Sequence, residues 1–304
     1  MNKKTNKIII CIAIIAIIAL IIIGNIIKNN KNNEEKKDLK IVTSFYPIYI
    51  MALNIADGCS SVDVSNMADQ ITGCIHDYTL TTADLKKIEK ANVFIQSGLG
   101  LESFSEKIIN AYPKVTIVDI SENIDKVNLI KHDDEENAHI WLSIDNYIEQ
   151  LENMQEKLSK ADNKNEELYK QNANNYIAKL LEIKNEYGKL NLENTKAICL
   201  DEALEYLLKE NKIEETLIET DHEQNSISAK EIKEIIEKMN EENIKIIFIN
   251  KDSDSKIANT LANETGAKIY KLNSAMSGEN DKNSYLEAMK ENYNILKTIT
   301  SENS

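Results

Sequence analysis

Residues 166–188 read EELYKQNANNYIAKLLEIKNEYG, and Tyr169, Tyr176, Leu180, Ile183 and Tyr187 recur along them at steps of seven, four, three and four. That spacing lines one face of an amphipathic helix. At 1.5 Å per residue the stretch covers roughly 35 Å, about the length of a domain. No Gly and no Pro interrupts the chain from Ile144 to Tyr187, and Tyr147, Leu151, Met154 and Leu158 mark a second helix before it. Coiled-coil heptads do not persist. The spacing therefore predicts a stiff connector, one that permits only limited rocking between the parts it joins.

Outward from the connector, both sides carry the same pattern. On the N-terminal side the β-branched runs KIVTSF (40–45), VDVSNM (62–67), NVFIQS (92–97) and KVTIVDI (114–120) alternate with helical patterns over 48–56, 82–90 and 102–110. Thr81 followed by Asp84 is a capping pair for the second of these helices. On the C-terminal side KAICL (196–200), TLIET (216–220), KIIFIN (245–250) and AKIYKL (267–272) alternate with patterns over 202–209, 229–239, 255–265 and 284–298. Strand and helix in alternation imply parallel sheets with right-handed crossovers. The expected fold is α/β: two lobes, each a four-stranded parallel sheet flanked by helices, joined by one long rigid helix. The expected boundaries are 38–143 for the first lobe, 144–190 for the helical linker and 191–304 for the second lobe. A chain of 304 residues that is 42 % hydrophobic is long enough for two cores.

Residues 8–27, IIICIAIIAIIALIIIGNII, carry no charge and follow Lys3, Lys4 and Lys7. About 20 apolar residues span a hydrocarbon core as a helix, and basic residues before them favour a cytoplasmic N-terminus with the remainder exported. A cleaved signal peptide is the alternative. No small-x-small site follows the run, which favours a retained transmembrane anchor, and the polar segment after it reads as a tether, so that residues 1–37 form one unit.

All 36 basic residues are lysines, against 50 Asp and Glu, for a formal charge of −14. Without residues 1–37, which hold 7 lysines and 2 glutamates, 29 lysines face 48 acids and the exported part carries −19. Such a surface repels nucleic acid and attracts cations. Outside the apolar run lie Cys59, Cys74 and Cys199. Cys59 and Cys74 flank a strand whose ends are roughly 17–20 Å apart, whereas a disulfide needs Cα atoms within about 7 Å. Free thiols are expected, with a bridge open if the loops fold back.

The four histidines, His76, His132, His139 and His222, all fall in loops after predicted strands. In open parallel sheets that is the end where ligands bind. His76 lies in GCIHDYTL (73–80), where it could start a helix, act as a base or hold a metal. One loop histidine caps or packs; four of four, beside carboxylates in an acidic exported chain, suit a borderline-soft divalent ion, zinc first and manganese second. The sequence lacks H-E-x-x-H, a nucleophile elbow and a glycine-rich phosphate loop.

The segments SFYPIY, GCIHDYTLTTADLKKIEKANVFIQSGLGLESF, AHIWLS and FINKDSDSKIANTLANETGAKIYKLNSAMSGENDKNSYLEAMKENYNIL, in order over about residues 39–298, resemble the solute-binding proteins of zinc and manganese ABC importers. The resemblance implies two α/β lobes joined by one long helix with the metal between them, and it places ligand histidines at His76 and His139. Where that family has a third histidine this chain has Asp201, and the family's late acidic ligand has no counterpart among Asn273 to Ser277, nor at Asn250. The expected ligand set is His76, His139, Asp201 and His222 around one Zn²⁺ or Mn²⁺. Cys74 is a lesser ligand candidate. His132, among Asp133, Asp134, Glu135 and Glu136, reads either as a cation-collecting loop or as a solvated acidic turn. Trp141 reads as packing into its lobe or as a wall of the pocket. The implied function is extracellular metal capture and delivery to an ABC-transporter permease, by a monomer held at the cell surface through its N-terminal helix, or secreted if that helix is cleaved. An exported zinc hydrolase, with Asp77 or Glu202 as base, and a same-fold binding protein or adhesin without the metal are the competing classes.

Overall fold

The computed structural model describes residues 39–68, 78–125, 128–132, 135–218, 227–253 and 255–302. In the first half β1 (Leu39–Thr43), β2 (Val62–Asn66), β3 (Val93–Gln96) and β4 (Thr116–Asp119) form a parallel sheet in the order β2-β1-β3-β4. In the second half β7 (Lys196–Cys199), β8 (Glu214–Leu217), β9 (Ile246–Asn250) and β10 (Lys268–Leu272) form another, in the order β10-β9-β7-β8. Turned end for end, the second sheet has the strand order of the first. Between the sheets in sequence comes a short antiparallel hairpin, β5 (Lys131–His132) with β6 (Glu135–Glu136). The expected α/β class with two four-stranded parallel sheets flanked by helices is what the chain adopts.

Helices α1 (Tyr46–Ile55), α2 (Thr82–Glu89) and α3 (Ser105–Ala111) belong to the first half, and α4 (Ile144–Ala161) and α5 (Glu166–Tyr187) to the middle. The second half contributes α6 (Glu205–Glu210), α7 (Ala229–Glu241), α8 (Lys256–Thr265) and α9 (Ser284–Glu302). Along α5 the tyrosine–leucine–isoleucine face read from the sequence is buried, with Glu166 and Glu167 in its first turn and Lys184 in its last, each charge set to suit the helix dipole. Near its start Asn172 Nδ2 donates to the carbonyls of Ile55 (2.9 Å) and Asp57 (2.7 Å), and near its end Tyr187 Oη donates to the carbonyl of Met289 (2.7 Å). The helix is thus bonded to both halves of the chain.

The halves do not have wholly separate cores. One continuous cluster runs from Ile41 and Phe94 in the first sheet through Trp141, Tyr147 and Tyr176 to Phe248 and Leu272 in the second. A smaller cluster, with Ile198, Met239, Ile247 and Leu261, fills the far face of the second sheet under α7 and α8. At the seam Tyr147 and Tyr285 stack with ring centroids 3.8 Å apart, and Tyr285 Oη donates to the Trp141 carbonyl at 2.6 Å. Trp141 is fully buried; it meets Phe45 edge-on at 5.0 Å and donates through Nε1 to the carbonyl of Ser274 at 2.9 Å. Its packing therefore crosses from one half to the other rather than staying in its own lobe.

Two boundaries differ from the sequence pattern for local reasons. The strand expected at 216–220 begins at Glu214, because α6 ends at Glu210, Lys212 turns through a left-handed φ of 58° and Ile213 is buried. The helix expected from 102 starts at Ser105, because Glu102 folds back to cap the turn Gly98-Leu99-Gly100, whose φ values are 93°, 54° and 78°. A Cβ on Gly98 would lie 2.1 Å from Asp119 Oδ1, so only glycine fits there. The anchor expected in residues 1–37 lies outside the described residues, and among the described residues no helix is long and apolar enough to cross a membrane.

Candidate metal centre

His139 follows the β5–β6 hairpin and precedes a 3₁₀ turn, Ile140–Leu142; it is only 3 % exposed. The side chain of Asn137 fixes its state. Asn137 Oδ1 accepts the His139 backbone N–H at 2.9 Å, while Asn137 Nδ2 donates to the carbonyl of Glu202 at 3.0 Å and to Glu205 Oε2 at 2.8 Å. A flipped amide would set donors against a donor and acceptors against acceptors, so its orientation is determined. His139 Nδ1 lies 2.8 Å from that same Oδ1 and must supply the proton. In the neutral ring the lone pair is then on Nε2, the form a metal-ligating histidine takes when its other nitrogen is tied to an oxygen.

Asp201 sits two residues past β7 and caps the 3₁₀ turn Glu202–Leu204, its Oδ1 accepting from the Ala203 N–H at 2.9 Å. Glu202 Oε1 is 3.8 Å from His139 Nδ1. The loop that carries Asp201 and the segment that carries His139 are therefore neighbours, although about sixty residues and the α4–α5 hairpin separate them. Cys199 is a free, buried thiol beside this loop, donating to the Asp201 carbonyl at 3.2 Å, and burial pushes its acidity down so that it stays protonated. Cys59 is likewise free and buried.

His76, His222 and Cys74 lie outside the described residues. The elements on either side of them are described, and they match. Before 69–77, Met67 N–H donates to the Thr43 carbonyl at 2.8 Å and Ala68 N–H to that of Ser44 at 3.2 Å. After it, Thr81 and Asp84 form the expected capping box, and Tyr78 Oη donates to Asp84 Oδ2 at 2.8 Å. Before 219–226, Ile218 N–H donates to the Cys199 carbonyl at 2.9 Å; after it, Ser228 and Glu231 form a second capping box. Both segments thus connect the C-terminal end of an edge strand to a boxed helix, at the same place in two sheets of the same order. Among the described residues no group of three His, Cys, Asp or Glu converges tightly enough to hold an ion.

His132 is not a free-standing turn residue. It stands in β5, and its Nε2 donates at 2.6 Å to Glu205 Oε2, a carboxylate buried to 4 % exposure at the start of α6. Tyr206 holds the same segment, accepting the Ile130 N–H at 3.1 Å and donating to the Asn137 carbonyl at 2.7 Å. Asn137, Glu205 and Tyr206 were missed at the level of sequence, although an amide two residues before a histidine can bond that histidine's own N–H and ring. Asn250 and Asn273, which stand where the late acidic ligand has no counterpart, bond within the second half: Asn250 Nδ2 donates to Ser274 Oγ at 3.0 Å and Asn273 Nδ2 to Glu291 Oε2 at 2.7 Å.

Residues 41–299 match the family model described as "ZnuA: Zinc-uptake complex component A periplasmic". The chain is 28 % identical over 282 residues to the high-affinity zinc uptake system protein ZnuA of Bacillus subtilis, covering 85 % of this chain and 86 % of that protein. It is 28 % identical over 297 residues to the zinc-binding protein AdcA of Streptococcus pyogenes, covering 86 % of this chain but only 56 % of that longer protein. In three dimensions it is similar to the solute-binding protein FpvC of Pseudomonas aeruginosa, solved with Mn²⁺, at a TM-score of 0.77 and 24 % identity over 88 % of this chain and 99 % of the other.

Proposed function

We propose a function from one premise: this chain belongs to the ZnuA family, component A of periplasmic zinc-uptake complexes. Components of this kind bind metal for import and are not enzymes. The chain captures one divalent transition metal ion outside the cytoplasmic membrane, zinc in preference to manganese, and hands it to an ABC-transporter permease. His76 and His139 from a first lobe (38–143) and Asp201 and His222 from a second (191–304) surround the ion as cargo. The linker 144–190, with α5 at its centre, limits the lobes to small rocking, and opening at the permease loosens the coordination. Four protein ligands closed to water suit zinc carriage; three with an open position would suit catalysis. The oxygen of Asp201 is what brings manganese into second place. Residues 1–37 hold the protein, as a monomer, at the cell surface.

The observation that supports this reading best is the state of His139: buried, tied through Nδ1 to an amide oxygen, and next to the Asp201–Glu202 loop of the other half. Titration of the metal-free protein with zinc against a competing chelator is expected to give one ion per chain. His139→Ala and Asp201→Ala should each weaken it, His139→Ala by more than the roughly 100-fold typical of losing an outer partner. Unchanged affinity in His139→Ala would overturn the reading, and unchanged affinity in His222→Ala alone would remove only that residue from the set.

A further inference from the structure

We infer that Asn137 is a positioning residue that sets the tautomer of His139, and that the second half holds Asn137 in place through Glu205. The inference rests on His139 being a metal ligand and adds what prepares it. A neutral histidine ring can carry its proton on either nitrogen, and only the one without it can bind a metal. Here the choice is made by an amide whose own orientation is fixed by three bonds: one from the His139 N–H, and two to oxygens of the second half, the Glu202 carbonyl and Glu205 Oε2. Glu205 Oε2 also accepts from His132 Nε2 at 2.6 Å, and the hairpin bearing His132 leads straight into Asn137. Removing the Glu202–Glu205 stretch of the second half would remove two of the three bonds that hold the Asn137 amide in this orientation. His139 would then be free to take its proton on Nε2, the nitrogen needed for zinc. Donor readiness in the first half is thereby tied to docking against the second, through the bond between Asn137 and Glu205, both buried.

Two-bond ¹H–¹⁵N spectra of the metal-free, full-length protein, at a pH where the ring is neutral, report the tautomer directly, with the His139 signals assigned by their loss in His139→Ala. The expected result is a proton on Nδ1 in the wild type. In Asn137→Ala the proton shifts towards Nε2 and zinc affinity falls about 10- to 100-fold. A purely structural role would lower thermal stability without moving the tautomer. A wild-type ring protonated on Nε2 overturns the inference with no variant needed, as does a folded Asn137→Ala protein with wild-type tautomer and affinity. If the wild type carries its proton on Nδ1 and fails to bind zinc, the metal reading fails and the positioning stands.

Discussion

The two halves share a strand order and treat the same place in it differently. Where the order reverses, beyond the C-terminal ends of its first and third strands, a parallel sheet opens a crevice suited to a ligand. In the first half the chain fills that crevice itself. Glu102 accepts from Ser44 Oγ (2.7 Å), the Ser97 N–H (2.7 Å) and the Gly98 N–H (3.1 Å), and it is buried. In the second half the residue following the first strand's end leads to Asp201, half-buried, which caps a single turn beside His139. One sheet has turned its anion site into a structural bond. The other keeps a carboxylate at the boundary, in the loop that lies beside His139 of the first half.

This contrast can be broken most forcefully at the seam. If the halves stand on one core, Trp141→Ala should cost about 3–5 kcal/mol and lower a single unfolding transition, followed by far-UV circular dichroism in urea. Two separated transitions, with only one of them shifted, would show two independent cores instead. The next effect belongs to Glu102, whose pKa burial raises to about 7, against the opposing influence of Ser44 and the two N–H donors. Below about pH 4.5 the group is protonated in both the folded and the unfolded chain and costs nothing. Between 4.5 and 7 the unfolded chain releases the proton first, so stability falls as pH rises, by about 3 kcal/mol in all. Urea unfolding across that range should show a fall that Glu102→Gln flattens; an equal slope in the variant would separate the crevice from the pH response.

The smallest effect compares the two capping boxes. Thr81 and Asp84 sit with Tyr78 in a half-buried cluster, whereas Ser228 and Glu231 are solvated. Thr81→Ala should cost about 2 kcal/mol and Ser228→Ala about 0.5 kcal/mol, the two ends of the range for N-caps. Equal losses in thermal unfolding would mean that the two histidine segments enter helices of equal anchorage, and that the halves differ only in their crevices.

How far the sequence announced this follows from what each feature depends on. The alternation of β-branched runs with helical spacing was enough for two parallel sheets, and the α5 face was legible because 3.6-residue periodicity is a local property. His139 was singled out because it falls in a loop after a strand, and Asp201 because the resemblance sets it where that family has a histidine. The shared seam was not, since stacking of Tyr147 on Tyr285 joins residues 138 apart and leaves no local trace. Nor was Glu102 as a buried carboxylate, because a glutamate near a helix start reads as a solvated first-turn charge unless the left-handed turn before it is known. Asn137 and Glu205 were hidden because their roles lie in the direction of an amide and the docking of a hairpin, which only tertiary contacts fix.

The central claim is that an imidazole of the first half and a carboxylate of the second take hold of one ion. Anomalous diffraction at the zinc edge from crystals of the zinc-loaded protein tests it most directly. The expected result is a single peak about 2.0–2.2 Å from His139 Nε2 and from an oxygen of Asp201. A peak bonded through His139 Nδ1, or one that touches neither residue, would contradict it.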